Sequence, residues 1–138
     1  MTHALLYRSI ATAPLGDLEL RALTVRAAQR NARAGITGLL LHGQHAHVPD
    51  APGAFVQWIE GPRDTIQRLF VSISDDPRHD GIEVLGEGPV SALAERSDPL
   101  FPAWGMETES IAELPATLAG FLAYVHGRRE SGDWRRAA

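Results

Sequence analysis

The chain contains no cysteine. Disulfides, thiolate nucleophiles and cysteine-based zinc sites are therefore excluded. Positive charge is also in short supply: 13 Lys and Arg against 17 Asp and Glu leave a net charge of −4, with no electrostatic footprint for nucleic acid. The basic runs "GRR" and "WRR" near the C-terminus are too short to change that and are read as solvated. No apolar stretch approaches the roughly 20 residues a membrane-spanning helix needs. The opening "MTHALLYRS" lacks the basic segment and apolar run of a signal peptide, so a soluble, cytoplasmic protein away from membranes is expected. What remains is a 138-residue chain, 44% hydrophobic, with the size of one domain and the composition for a core.

Hydrophobic periodicity and turn residues divide the chain into alternating elements. Ala4–Ser9 reads as a strand, followed by the breaker stretch "ATAPLGD". Asp17 is the expected cap of a helix in which Leu18, Leu20, Leu23, Ala27 and Ala28 recur at helical spacing, stopped by Gly35. Ile36–His42 is a covered strand, "GQHAHVPDAPGA" a long hairpin loop, and Phe55–Glu60 a third strand. Gly61 and Pro62 open a second helix with Ile66, Leu69, Phe70 and Ile73 on one face. "IEVLGEGPV" is a fourth strand, a proline-marked connection follows, and "AWGMET" is a short fifth strand. Ile111–His126 is apolar enough to be helical, broken at Pro115.

This order predicts an α+β, ferredoxin-like βαββαββ fold with a five-stranded mixed sheet. Two helices would cover one face and the C-terminal helices the other. Residues 1–108 form the expected domain, 109–127 a helical extension packed on the sheet, and 128–138 a polar tail.

Three polar residues sit where burial is expected. Strand side chains alternate between faces, so Phe55, Gln57 and Ile59 share one face, and Val56, Trp58 and Glu60 the other. In the first strand Leu5, Tyr7 and Ser9 share a face. Gln57 and Tyr7 thus both point beneath the two helices, and Asn31 lies near the end of the first helix. Each alone is most simply a satisfied polar group. Together they make a polar constellation in an apolar pocket, suited to a ligand edge rich in amide-like groups. Trp58 is assigned to packing under the C-terminal helices.

The segments "YRS" (7–9), "NARAGITGLLL" (31–41), "FVQWIEGP" (55–62), "DPRH" (76–79) and "FPAWGM" (101–106) resemble, in order, the BLUF family of blue-light sensors using FAD. The resemblance covers about residues 3–108. It implies a blue-light photoreceptor that binds FAD without a covalent bond, not an enzyme. Tyr7 and Gln57 would be photoactive, with light-driven electron and proton transfer between Tyr7 and flavin via Gln57. Ser9, Trp104 and Met106 would tune the glutamine. Asn31 and Arg30 would meet the flavin's polar edge, Leu23 and Ile73 its ring faces, and Arg78 and His79 the ribityl-phosphate part. A phenol can give up an electron and a proton together, and an amide can change its hydrogen bonds without bringing charge into a desolvated pocket.

The 42–54 loop and the 91–102 connection are longer than in the compact family pattern; the first is not expected to move the pocket, while the second precedes Trp104 and Met106 and leaves open which of them meets Gln57. No output domain follows in the sequence. The resemblance is thus to short, stand-alone members signalling to a protein partner, and a bare sheet face would suit a homodimer or higher homo-oligomer. Two alternatives use the same fold: a flavin-free binding module, and a small acylphosphatase-like enzyme. The latter would need a phosphate-cradling loop that "IATAPLGD" does not provide. His42, His45 and His47, with Asp50, could be read as metal ligands, but a solvated loop is the better reading and no metal is expected.

Overall fold

Five segments form strands, and the computed structural model joins them into one sheet. It describes residues 2–13, 16–45, 48, 51–95 and 99–131. Strands β1 (His3–Ala11), β2 (Thr37–Gln44), β3 (Ala54–Gly61), β4 (His79–Pro89) and β5 (Trp104–Ser110) lie in the order β4-β1-β3-β2-β5. All neighbours are antiparallel except β2 and β5, which run parallel. The mixed ferredoxin-like sheet is the one expected, with helices on both faces.

Helix α1 (Asp17–Ala34) buries Leu20, Ala27 and Asn31 on one face. Gly16 is its N-cap, so Asp17 is the first helical residue rather than the cap. Gly35 ends it at φ 72°, a left-handed conformation that costs glycine no steric strain. Helix α2 (Arg63–Ser74) follows Pro62 and turns Ile66 and Leu69 into the core. Beneath α2, Leu5, Tyr7, Ile36, Ile59, Ile66 and Leu69 pack together. Beneath α1, a separate group holds Ala11, Ala27, Leu40, Phe55 and Trp104. This face of the sheet therefore carries two apolar clusters rather than one.

The opposite face carries one continuous core. Val56, Trp58, Leu6 and Leu41 meet Leu100, Phe101 and, from helix α4 (Leu118–Ser131), Phe121 and Val125. Trp58 stacks on Phe121 with planes 4° apart and centroids at 5.7 Å. The side of the sheet expected for Trp58, and the C-terminal helix above it, are as read from the alternation. A 3₁₀ turn at Ile111–Glu113 and the helix start at Leu118 bracket Pro115. Residues 128–131, expected in a polar tail, continue α4. Arg128 reaches from this last part to β5, pairing with Glu107 at 2.9 Å and Glu109 at 2.8 Å. Arg129 donates to the Leu100 carbonyl.

Two other segments differ from expectation. The connection after β4 contains a short helix α3 (Val90–Ala94), since five residues are too few to show a helical period. Strand β2 runs on to Gln44, so His42 is not in a solvated loop. Its ring is 2% exposed and packs on Phe55 at 5.2 Å. His47 and Asp50 lie outside the described residues, and among those described no group of three or more His, Cys, Asp or Glu is placed to hold a metal ion. No described helix is long and apolar enough to cross a membrane.

Candidate functional site

The gap between the two apolar clusters is a cleft, part of it open to solvent. Helix α1 contributes Leu23, Ala27 and Arg30 to its walls, and α2 contributes Ile73. The sheet forms the floor with Tyr7, Leu40, Phe55, Gln57 and Trp104; Asp76, Arg78 and His79 close the end beyond α2. An apolar cleft with a few converging polar groups has the character of a small-molecule site.

Strand register assembles the floor. Tyr7 on β1 is directly opposite Gln57 on β3, and Gln57 is opposite Leu40 on β2. Gln57 Nε2 donates to the Tyr7 hydroxyl at 2.6 Å. Trp104, on β5, reaches across β2 so that its indole Nε1 donates to Gln57 Oε1 at 3.0 Å. Two strand spacings, about 9.6 Å, are bridged this way. The indole fixes the sense of the chain of bonds. An indole N–H can only donate, so the glutamine oxygen must face it and the NH₂ must face Tyr7. One hydrogen of that NH₂ is left for a further acceptor. Burial pushes the Tyr7 phenol well above its usual pKa, offset in part by the Gln57 hydrogen bond and the positive charge of Arg30. Tyr7 is thus held as a neutral phenol.

A second set of bonds closes the far end. His79 Nε2 lies 2.6 Å from the Ile73 carbonyl, which can only accept. Nε2 therefore carries the ring hydrogen, and Nδ1 accepts from the Ser9 hydroxyl at 2.8 Å. The imidazole ties the end of α2 to β1 beside the Tyr7 ring, 6.1 Å away. Arg78 Nε donates to both Asp76 oxygens at 3.0 Å. This bonding lowers the Asp76 pKa and raises that of Arg78.

Among the residues singled out from sequence, Tyr7, Leu23, Arg30, Gln57, Ile73, Arg78, His79 and Trp104 line the cleft. Asn31, Ser9 and Met106 do not. Asn31 is fully buried next to Arg30, whose Nε approaches its Oδ1 at 3.4 Å, while its Nδ2 has no hydrogen-bond partner. Met106 packs with the α1 cluster and accepts from Thr24 Oγ1 at 3.4 Å. The neighbour of Gln57 is Trp104, a point the sequence left open. Sequence reading missed Asp76 as a wall residue, and it missed the small Ala27 whose side chain leaves the cleft room. It also passed over Glu60, a fully buried carboxylate behind the site. The signal for Glu60 was present: an acid at the same strand parity as Val56 and Trp58.

Over residues 2–107 the sequence matches the BLUF family, sensors of blue-light using FAD. The chain belongs to the BLUF family. It is 37% identical over 113 residues to photoactivated adenylate cyclase subunit beta of Euglena gracilis, covering 82% of this chain and 12% of that protein. Solved BLUF structures agree. BlsA in its photo-activated state superposes with a TM-score of 0.62 at 28% identity, over 80% of this chain and 70% of that one. BlrP1 of Klebsiella pneumoniae, complexed with calcium and cyclic diGMP, gives 0.63 at 27% identity over 92% of this chain and 28% of that one. The chain spans only about an eighth of the curated cyclase relative. The BLUF fold, the blue-light sensing function and the flavin cofactor are thereby established, and the acylphosphatase-like reading is set aside. BLUF sensors signal to output domains or partners.

The residues present suit a flavin. A flat heteroaromatic ring edged with carbonyl and imine acceptors needs donors, and the spare Gln57 hydrogen is one in the cleft floor; the unpaired Asn31 Nδ2 lies buried behind the lining, next to Arg30. Leu23 and Ile73 supply apolar walls from opposite helices.

Proposed function

We propose that light sensing in this BLUF domain works by reversal of the Gln57 carboxamide between Tyr7 and Trp104. The observation that carries this reading is the fixed sense of the Trp104–Gln57–Tyr7 chain. Bound FAD would supply the blue-light absorption and, in its excited state, an acceptor for an electron from the Tyr7 phenol beside the cleft. Tyr7, kept protonated by burial, can release an electron and a proton together and take both back. Gln57 can pass a proton because its amide oxygen and nitrogen lie on the same path. Once turned over, its oxygen accepts from the Tyr7 hydroxyl, while its NH₂ meets the Trp104 N–H donor to donor. Two bonds are broken and one is made, and the buried Trp104 N–H is left unpaired, so the turned-over arrangement lies about 1–3 kcal/mol higher, the cost of one unsatisfied buried donor. A small gap makes the change reversible.

Asn31 and Arg30 would hold the polar edge of the flavin, Leu23 and Ile73 its faces, and Arg78 and His79 the ribityl-phosphate part. Ser9 would act through His79, and Met106 by packing beside Trp104. The domain would carry no catalysis of its own and would signal to a protein partner, as a homodimer or higher homo-oligomer in the cytoplasm.

Purified protein should be yellow, and blue light should shift its flavin absorption reversibly to longer wavelength. Gln57→Leu and Tyr7→Phe should each retain the flavin and lose the shift. An undiminished shift in Gln57→Leu would overturn the reading.

A further inference from the structure

Behind the cleft, on the other face of β3, Glu60 is fully buried and accepts four hydrogen bonds. Its Oε1 takes the Leu100 backbone N–H at 2.8 Å and the Trp58 indole N–H at 3.1 Å. Its Oε2 takes the Phe101 N–H at 2.7 Å and the Thr37 hydroxyl at 2.8 Å. A buried carboxylate is costly unless its oxygens are bonded, and here the donors come from β2, β3 and the segment that leads into β5. Two of the four are backbone groups of one short stretch. Three residues beyond Phe101 stands Trp104, so the two α-carbons are at most about 10 Å apart along the chain. Pro102 within that stretch restricts it further. Gln57 and Glu60 thus hold the two ends of one short segment from opposite faces of the same strand.

We infer that Glu60 is a positioning residue for the photocycle, clamping residues 100 and 101 so that the Trp104 indole is presented to Gln57. This rests on the proposed role of the Trp104–Gln57 bond. A structural role alone would lower stability without touching the light response. A positioning role makes the effects of Glu60 and Trp104 overlap, because both act on one bond.

The test uses the full flavin-loaded chain. Dark recovery after a blue flash is timed for the parent, Trp104→Phe, Glu60→Gln and the double variant, with Thr37→Val as a milder change that removes one donor and leaves the carboxylate. Trp104→Phe should alter the recovery rate by on the order of fivefold, the equivalent of one hydrogen bond. Glu60→Gln should move it in the same direction and add nothing in the Trp104→Phe background. Thr37→Val should give a smaller change of the same sign. Effects that multiply in the double variant, or an unchanged rate in folded Glu60→Gln, would overturn the proposal. If Glu60→Gln does not fold, an unchanged rate in Thr37→Val does so instead.

The Trp104 indole N–H resonance, assigned by its loss in Trp104→Phe, gives a readout independent of light. It should move in Glu60→Gln or Thr37→Val, and a fixed resonance in the folded variant would also overturn the proposal. A moved resonance with a recovery rate indifferent to Trp104→Phe would mean that Glu60 positions Trp104 but that the Trp104–Gln57 reading of the photocycle is wrong.

Discussion

A carboxamide has one end that accepts and one that donates, and at Gln57 the neighbours tell the two apart. Strand alternation was enough to put Gln57 and Tyr7 on one face from sequence. Their pairing depended on register between β1 and β3, which residues within one strand do not encode. The choice of Trp104 over Met106 was less legible still, because it depends on how a side chain leans across an intervening strand. His42 was read both as the end of a covered strand and as part of a solvated loop, and the strand reading holds. Its glycine neighbour Gly43 looked like the start of a loop, whereas β2 continues and buries the ring. Burial lowers the His42 pKa below its ordinary value near 6.5. The unfolded chain then binds a proton more readily than the native one between that depressed value and about 6.5, so stability rises with pH across this window. The contribution is fully present above about 6.5 and is lost as pH falls toward the folded-state value. Urea unfolding over this range should give a flatter pH dependence for His42→Leu than for the parent; equal slopes would show that His42 does not titrate differently on folding.

Strand β3 is the element on which both faces depend. Phe55, Gln57 and Ile59 face the cleft, while Val56, Trp58 and Glu60 face α4, and none of the six is exposed. That two-sided burial was readable in "FVQWIEG", which has no polar stripe for water. Helix α4 was readable as apolar, and its break at Pro115 was placed by the residue type. Helix α3 was not, being shorter than the pattern that would announce it. The bond between β3 and α4 is chiefly the Trp58–Phe121 stack. Phe121→Ala should cost about 3–5 kcal/mol, the range for a large aromatic removed from a core. Thermal or urea unfolding measures this directly, and a loss below about 1 kcal/mol would mean that α4 is held some other way.

For the molecule as a whole, the division of labour lies between its two cores. One face of the sheet is filled continuously by α4 and residues 100 and 101; the other is divided by a cleft that FAD is suited to complete. The composition revealed that there was core enough, but not that part of it would be left for a ligand. A ligand that binds only the folded state raises its stability by mass action, about 2.7 kcal/mol at a hundredfold excess over Kd. Stripping the flavin should therefore lower Tm, and returning FAD should restore it in proportion to the logarithm of its concentration. A Tm indifferent to FAD would place the cofactor outside the folded core.

Helix α4 is attached to the sheet by two kinds of contact. Phe121 and Val125 grip the central strand with carbon, whereas Arg128 holds the edge strand β5 through Glu107 and Glu109. Dispersion and burial are not screened by dissolved ions, but partly exposed charge pairs weaken as the screening length falls from about 8 Å at physiological ionic strength to about 3 Å at 1 M. The seat of the helix is thus not weakened by screening, whereas its hold on the strand that bears Trp104 is. Ionic strength becomes a dial for how tightly the helix follows that strand.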